Sequence, residues 1–308
     1  MFLKNLIKQI VGKYNSLHYL YIIFNIGKFK VKNYFRLKSI GVKYEDIRTL
    51  RRLIEEVLPA VKLKNSKVAN VIGSGWSLLD SYKSIRDNHF VIGFNFAALI
   101  NLKFDIYFFE FCSNKQSKFS KKQLMLVETH LLHQGGKVYF KNIWEDKNDI
   151  ECISKNIKGK FPILIDYVVP CLHETKIRQS LKYCLDSKLS ELPQYGSTAF
   201  TSIFVAYFLG FKQIVLHGID FHGYHFYHLN EFEGDRRYIL DDDDFINPQV
   251  AGSINKIHAT SIGKIGIKAA LPILRDLLKE RGVDLYAASN KSPSSEILPL
   301  YIHKENLN

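Results

Sequence analysis

Two short apolar runs, each ending in a glycine-containing turn, constrain the fold of this chain most strongly. The first covers residues 68–72 and leads into Gly73-Ser74-Gly75, and the second covers residues 213–216 and leads into Gly218-Ile219-Asp220. A short, mostly apolar run that stops at or near a glycine turn is typical of a strand buried on both faces. Such strands need helices on both sides of their sheet, so the two runs indicate an α/β chain.

The rest of the chain alternates in the same way. We predict further strands at residues 90–94, 106–109, 137–140, 161–165 and 284–287, and helices at residues 44–61, 78–85, 121–133, 197–209 and 266–281. This alternation predicts a mostly parallel, Rossmann-like sheet with helices on both faces, which binds ligands at the carboxyl ends of its strands. The 308 residues allow one α/β domain at 65–308 and a basic, amphipathic helical extension at 1–64.

The N-terminal extension carries most of the charge of the chain. Residues 1–64 hold fourteen Lys and Arg against four acidic residues, while the whole chain has a net charge of +13. Leu, Ile, Phe and Tyr recur between the lysines, but no uncharged apolar stretch is long enough to cross a bilayer. This pattern favours an anionic membrane surface as the partner of residues 1–43. A packed or oligomer-forming helical cap and a nucleic-acid surface are the alternatives, and no recognised nucleic-acid motif supports the latter.

The cysteines and the N-terminus indicate where such a chain resides. Cys112, Cys152, Cys171 and Cys184 have no paired close spacing, so they suggest neither a disulfide framework nor a zinc ribbon. The N-terminus has no recognisable secretory signal. We therefore expect a reducing cytoplasm, with the protein peripheral at the inner face of the cytoplasmic membrane.

The first turn, Gly73-Ser74-Gly75-Trp76-Ser77-Leu78, brings glycines and hydroxyls to a point where a strand becomes a helix. Backbone N–H groups at such a point attract phosphate, and glycine permits close approach. The turn lacks the third glycine of the dinucleotide fingerprint and the lysine of a P-loop. Gly73, Ser74, Gly75 and Ser77 are thus candidate nucleotide-binding residues, with a tight structural turn as the alternative.

Polar residues also follow other predicted strands or open helices. Asn95 follows the strand at 90–94 and could bind a base or ribose, or cap a helix. Ser197 and Thr198 open an apolar helix and could hold a nucleotide or serve as an ordinary cap. The carboxylate of Asp220 is costly at a buried strand end unless it is paired or used.

A polar and aromatic loop at about 221–257 is long enough to be a lid. It carries His222, His225 and His228 between Tyr224 and Tyr227, and these side chains could contact phosphate or substrate, a metal, or only solvent. The acidic run 241–244 is expected to be solvated. His258 closes the loop, and an imidazole there could act as a general base near neutral pH.

Taken in order, these segments resemble the bacterial family 42 sialyltransferases, which use cytidine-monophosphate (CMP) sialic acid. The family has Gly-Asn-Gly-x-Ser-Leu after its first strand, an Asn after the next, and a Thr-Ser pair that opens an apolar helix. Leu-Gly-Tyr-Lys-Glu-Ile and Gly-Ile-Asp-Phe-Tyr follow that helix, and a catalytic His comes later. The similar residues here are Gly73–Leu78, Asn95, Ser197-Thr198, Leu209–Ile214, Gly218–His222 and His258.

The resemblance implies a variant of the single-domain GT-A glycosyltransferase fold and a metal-independent, inverting transfer without a cofactor. His258 would deprotonate the acceptor, Tyr224 and Tyr227 would stabilise the departing phosphate, and His222 would stand where the family has its first lid tyrosine. The donor would be CMP-sialic acid or a related acidic sugar, and the acceptor a capsule or lipo-oligosaccharide glycan.

This chain departs from the family pattern at three positions. Ser74 stands where the first motif of the family has an Asn, and His222 stands where the family has its first lid Tyr. Tyr195 stands where the family has an Arg that is associated with acceptor binding. Similar glycine and Gly-Ile-Asp motifs occur in pterin pyrophosphokinase-like proteins, so a diphosphokinase is the enzymatic alternative. A non-catalytic, membrane-attached scaffold for glycan assembly is the third hypothesis.

Overall fold

The centre of the molecule is a parallel β-sheet. The computed structural model describes residues 13–110, 117–131, 134–141, 153–187, 192–223, 225–238 and 264–302. All neighbouring strands of the eight-stranded sheet are parallel, which confirms the predicted Rossmann-like architecture. The strands of this sheet are β1 (Ile47–Arg48), β2 (Val68–Ile72), β3 (Phe90–Phe94), β4 (Ile106–Phe109), β5 (Lys137–Lys141), β6 (Ile163–Leu164), β9 (Gln213–His217) and β10 (Asp284–Ala287). A separate parallel pair consists of β7 (Asp166–Val168) and β8 (Leu192–Gln194).

Helices and two apolar cores cover both faces of the sheet. Alternate side chains of one strand enter different cores: Val71 belongs to one and Ile72 to the other. The helix that follows β8 is buried along most of its length because it packs on β2 and β3 at the centre of the sheet. The α-helices are α1 (Asn15–Ser39), α2 (Leu50–Lys64), α3 (Leu78–Ser81), α4 (Ser117–Leu126), α5 (Ile177–Leu185), α6 (Thr198–Phe208) and α7 (Ile267–Lys279).

The strand order creates a crevice between β2 and β9. Across the sheet the order is β1-β6-β5-β4-β3-β2-β9-β10, so the chain proceeds in one direction from β2 and returns on its other side as β9. Ile72 pairs with His217, so the glycine turns after these two strands begin side by side. Parallel sheets bind ligands at such a reversal of strand order.

The described part of the N-terminal extension, residues 13–64, is mostly helical as predicted, but it also contributes to the sheet. β1 pairs with β6 and forms an edge of the sheet. Ile47, predicted to lie in a helix at 44–61, is therefore a strand residue. The helix begins after Thr49, whose hydroxyl accepts a hydrogen bond from the Arg52 N–H at 3.3 Å. α2 ends at Asn65, which adopts a left-handed conformation with φ 48°.

Other predicted elements also differ in their bounds. The helix at 121–133 is α4 followed by a π-helical turn, Val127–Leu131, while residues 132 and 133 lie outside the described ranges. The helix at 78–85 ends as α3 at Ser81 and continues as a 3-10 turn, Tyr82–Ser84. The strand at 161–165 is shorter in the structure, where β6 covers Ile163–Leu164 and follows Pro162, a residue with no N–H to donate.

Part of the predicted lid packs against the body of the protein. The structure describes residues 221–223 and 225–238 of it, and Phe226, Tyr227, Phe232 and Tyr238 are buried in one of the two cores. The remainder of the lid, the acidic run 241–244 and His258 lie outside the described residues. None of the helices in the described part of the chain is both long and apolar enough to cross a membrane.

Candidate functional site

A cavity of about 360 Å³ lies at the carboxyl ends of the central strands. We call it the strand-end cavity. Its walls come from the turns after β2 and β9, the ends of β3 and β4, the β7–β8 pair, and the first turns of α6 and α7. The lining includes Gly73, Ser74, Gly75, Phe94, Asn95, Glu110, Val168, Gln194, Gly196, Ser197, Thr198, Ala199, Gly218, Ile219, Asp220, Phe221, His225 and Ile267.

The turns after β2 and β9 are bonded to each other. The Gly73 N–H donates to His217 O and the Gly75 N–H donates to Gly218 O, both at 2.9 Å. A Cβ on Gly73 would lie 2.6 Å from Gly218 O, so only glycine permits this approach. These two N–H groups are thus already satisfied within the protein, and the glycines serve the contact between the turns.

Asp220 joins three segments beneath the cavity. Its carboxylate accepts hydrogen bonds at 2.7 Å from both the N–H and the hydroxyl of Ser77, and one at 2.6 Å from the hydroxyl of Ser292. Asp220 and Ser77 are both buried, and Ser77 is not among the cavity-lining residues. The side chain of Ser77 therefore holds Asp220 in place, where the sequence suggested contact with a nucleotide.

Asn95 lines the cavity in an unusual backbone conformation. Its φ is +57°, in the left-handed region that Asn tolerates better than most residues. Its carbonyl accepts a hydrogen bond from the Tyr107 hydroxyl, which also accepts one from the Ala98 N–H at 3.2 Å. These contacts fix the backbone where β3 ends and place the Asn95 side chain on the cavity wall.

The first turn of α6 forms a polar wall. Ser197 is the N-cap and accepts a hydrogen bond from the Phe200 N–H at 3.4 Å. The N-terminal end of an α-helix carries partial positive charge and attracts anions. Ser197, Thr198 and Ala199 line the cavity, so this helix end faces it.

A buried lysine lies behind that wall. Lys141, at the end of β5, is fully buried, and its Nζ donates to Thr198 Oγ1 at 3.0 Å. The same ammonium lies 3.3 Å from Oε2 of Glu110, whose side chain is 15% exposed and lines the cavity. The strand-end cavity therefore has a paired cation and anion close to the α6 end.

The beginning of the predicted lid is attached to the first turn. His225 forms an isolated antiparallel bridge with Gly75, and its Nδ1 lies 3.0 Å from Ser74 Oγ. The His225 ring stacks on Tyr227 with centroids 5.1 Å apart. Of the three loop histidines, His225 is the one on the cavity lining.

The other predicted lid residues are placed differently. Tyr227 is fully buried, and its hydroxyl has no hydrogen-bond partner among the described residues. Burial raises the pKa of the Tyr227 phenol well above its ordinary value, so the group stays neutral. Neither Tyr227 nor His222 lines the cavity, while Tyr224 and His258 lie outside the described residues.

Sequence reasoning did not single out Glu110, Lys141 or Gln194 as site residues. Glu110 directly follows the apolar strand β4, and Lys141 is the final residue of β5. A charged residue at the carboxyl end of a predicted parallel strand is the signal that would have found both. Within the ranges that the structure describes, no group of three or more His, Cys, Asp or Glu side chains is arranged to hold a metal ion.

Comparisons with known proteins give a distant structural similarity. Neither a protein-family model nor a curated protein matches the chain. The monofunctional α-2,3-sialyltransferase Cst-I from Campylobacter jejuni is similar over 78% of this chain and 82% of its own, with 18% identity and a TM-score of 0.46. The sialyltransferase CstII from Campylobacter jejuni, solved with the substrate analogue CMP-3FNeuAc, is similar over 76% and 86%, with 16% identity and a TM-score of 0.42. Similarity at this level transfers neither an activity nor a residue role.

Proposed function

We propose that this chain is a glycosyltransferase that transfers sialic acid or a related acidic sugar from a CMP-activated donor. The observation that carries the proposal is the shared position of four motif segments. The first turn, Asn95, Ser197-Thr198 and the Gly218–Asp220 turn all border the strand-end cavity. These are the segments whose order and residue types resemble the family 42 sialyltransferases.

The charge distribution at the cavity is compatible with such a donor. A CMP-sugar carries a phosphodiester, and an acidic sugar adds a carboxylate. The positive end of α6 faces the cavity, so an anionic group of the donor is favoured at this helix end. The Lys141 ammonium behind Thr198 offsets the charge of the Glu110 carboxylate on the same wall. Asn95, at the end of β3, supplies an amide that can bind the ribose or base.

The reaction would be a single inverting displacement. The acceptor hydroxyl oxygen bonds to the anomeric carbon while the bond from that carbon to the phosphate oxygen breaks, and CMP leaves with the electron pair. His258 takes the proton of the acceptor hydroxyl, and the Tyr224 hydroxyl donates a hydrogen bond that stabilises the departing phosphate. We propose that no metal ion or cofactor takes part, because the CMP leaving group is already a weak base.

We further propose that the enzyme acts at the inner face of the cytoplasmic membrane on a capsule or lipo-oligosaccharide acceptor. The basic character of residues 1–43 supports this location. A membrane-bound acceptor would then lie near the enzyme.

Nucleotide binding is the first test. CMP at saturation should raise the melting temperature by several degrees, as tight binding to the folded state requires, whereas guanosine and adenosine nucleotides should not. Asn95→Gly keeps the left-handed backbone accessible and removes the amide, so it should weaken the CMP shift. Asn101→Gly, at an exposed position nearby in sequence, is the matched control. A guanosine, adenosine or pterin response that needs magnesium would instead indicate a diphosphokinase.

Catalysis is the second test. Wild-type protein should transfer sialic acid from CMP-sialic acid to a glycan acceptor in the presence of a metal chelator. His258→Ala should retain the CMP-induced shift and lose transfer. A CMP shift without transfer in the wild type would indicate a non-catalytic scaffold, and dependence on added magnesium would contradict the metal-independent mechanism.

A further inference from the structure

Helix α1 has two apolar faces, and only one is covered by the protein. The inner face carries His18, Ile22, Ile26, Asn33 and Leu37, which are all buried. Ile22 and Ile26 belong to the same core as α5 and α6. His18 Nε2 also lies 3.1 Å from Ser180 Oγ on α5. The helix is therefore fixed to the body of the protein by its inner face.

The opposite face carries a ridge of exposed apolar side chains. Leu20, Phe24, Val31 and Phe35 are 61%, 71%, 59% and 63% exposed. Their spacing of four, seven and four residues places them along one line of an α-helix. We call these four residues the outer ridge. Ile23 and Tyr34, each about half exposed, adjoin it.

Lysines of α1 accompany the outer ridge, and α1 itself has no acidic residue. Lys28 and Lys38 are exposed and, by helical spacing, lie on the same side as the ridge. The first acidic residue of the chain is Glu45, beyond the end of α1. Exposed aliphatic and aromatic side chains between lysines are typical of a helix that lies in the interfacial region of an anionic bilayer.

Charge also decides between the possible occupants of this face. A second copy packed symmetrically on the ridge would bring two sets of lysines together with no carboxylate of α1 between them, which is unfavourable. A nucleic acid would satisfy the lysines and leave the apolar ridge in water. An anionic lipid surface satisfies both, since acyl chains cover the ridge and lipid headgroups pair with the lysines.

We propose that the outer ridge of α1 is a membrane-docking surface for anionic lipid. Because the inner face packs on the enzyme body, docking is by a preformed, rigidly held helix that lies in the plane of the membrane. The outer ridge would be the surface through which the protein reaches the membrane location of the proposed function. This docking does not depend on which donor the enzyme uses.

The test is sedimentation of the full-length protein with phosphatidylcholine vesicles, with and without phosphatidylglycerol. The variant L20S/F24S/V31S/F35S should bind anionic vesicles more than about tenfold more weakly, because four apolar side chains no longer enter the bilayer. L63S/I302S, which replaces two exposed apolar residues elsewhere, should bind as wild type. K28Q/K38Q should lose about fivefold in affinity per lysine, for anionic vesicles only.

Melting temperature and the CMP-induced shift are measured on the same variants. An unchanged CMP shift in the ridge variant separates membrane docking from donor binding, so either proposal can fail alone. Equal vesicle binding by wild type and ridge variant would overturn the docking surface. So would a wild-type dimer that the ridge serines dissociate without any vesicle binding, or binding to nucleic acid in place of vesicles.

Discussion

Both carboxylate oxygens of Asp220 accept a hydrogen bond from Ser77, one from its N–H and one from its hydroxyl, each at 2.7 Å. This pair links the turn after β9 to the turn after β2 across the crevice of the sheet. Ser292 adds a third donor at 2.6 Å. The shape of the strand-end cavity thus depends on a buried carboxylate that is satisfied by protein groups.

Replacing Asp220 with Ala should destabilise the fold. The Ser77 and Ser292 groups would lose a charged acceptor in a buried environment, which costs about 3 kcal/mol of the free energy of unfolding. Urea denaturation measures this loss. Asp87→Ala, at an exposed site, should change the stability little. If Asp220→Ala weakened CMP binding but left the stability unchanged, the carboxylate would be a ligand contact and not a structural link.

Gly75 and Gly27 should respond in opposite directions to alanine. A Cβ on Gly75 would lie 2.5 Å from Asp220 Oδ2 and 2.7 Å from Gly218 O, so Gly75→Ala should cost about 2 kcal/mol through overpacking. A Cβ on Gly27, within α1, meets nothing within 4 Å. Gly27→Ala should therefore raise the stability by about 0.5–1 kcal/mol. Thermal and urea unfolding compare the stabilities of the two variants. If Gly75→Ala left the stability unchanged, the turns after β2 and β9 would be able to move apart.

The Lys141–Glu110 pair should show a strong energetic coupling. Lys141→Met removes the partner of a mostly buried carboxylate and should cost roughly 3 kcal/mol. The double variant K141M/E110Q should recover at least about 1 kcal/mol of that loss. Single and double variants of each pair form a double-mutant cycle, which measures the coupling energy. The corresponding cycle at Lys43 and Glu45, an exposed pair, should give a coupling energy below about 0.5 kcal/mol. Equal coupling energies in the two cycles would mean that burial does not strengthen the interaction between Lys141 and Glu110.

His18 should make the stability depend on pH. Burial, and secondarily the charge of Lys176, lowers the pKa of His18 below its ordinary value of 6.5. The unfolded chain then takes up a proton at a higher pH than the folded one. The contribution of neutral, buried His18 to the free energy of unfolding is therefore complete above pH 6.5, the ordinary pKa. This contribution is lost as the pH falls from there through the lower pKa of His18 in the folded state.

Urea unfolding on both sides of pH 6.5 tests this dependence. His18→Gln should lose less stability than wild type on acidification. His173→Gln, at an exposed histidine, should behave as wild type. A His18→Gln profile parallel to that of wild type would assign the acid sensitivity to other groups.

Four strands of the sheet could be predicted because their short, mostly apolar runs end close to glycine or polar residues. β2, β3, β4 and β10 have the predicted bounds. β1 could not be predicted, since a two-residue strand has no periodicity and Ile47 also fits the helical pattern of α2. Its strand conformation arises from pairing with β6, which is distant in sequence.

The site was only partly predictable for a related reason. Strand ends of a parallel sheet meet at one edge, so the sequence can indicate which turns come together. It cannot indicate which way a hydroxyl at the turn points. The Ser77 hydroxyl donates to the buried carboxylate of Asp220, while the Ser74 hydroxyl contacts the ring of His225. His225 follows the Gly218–Asp220 turn by several residues. Both orientations depend on contacts between segments that are far apart in the chain.

The pairing of β1 with β6 also determines the order in which the molecule can be completed. During synthesis Ile47 emerges long before Ile163, its partner in the sheet, and His18 emerges before Ser180. The first helix and the edge strand therefore cannot reach their final positions until a long stretch of later chain has been made. Closing that loop carries an entropic cost that a local hairpin would avoid. Residues 15–48 are therefore synthesised well before the segments on which they pack.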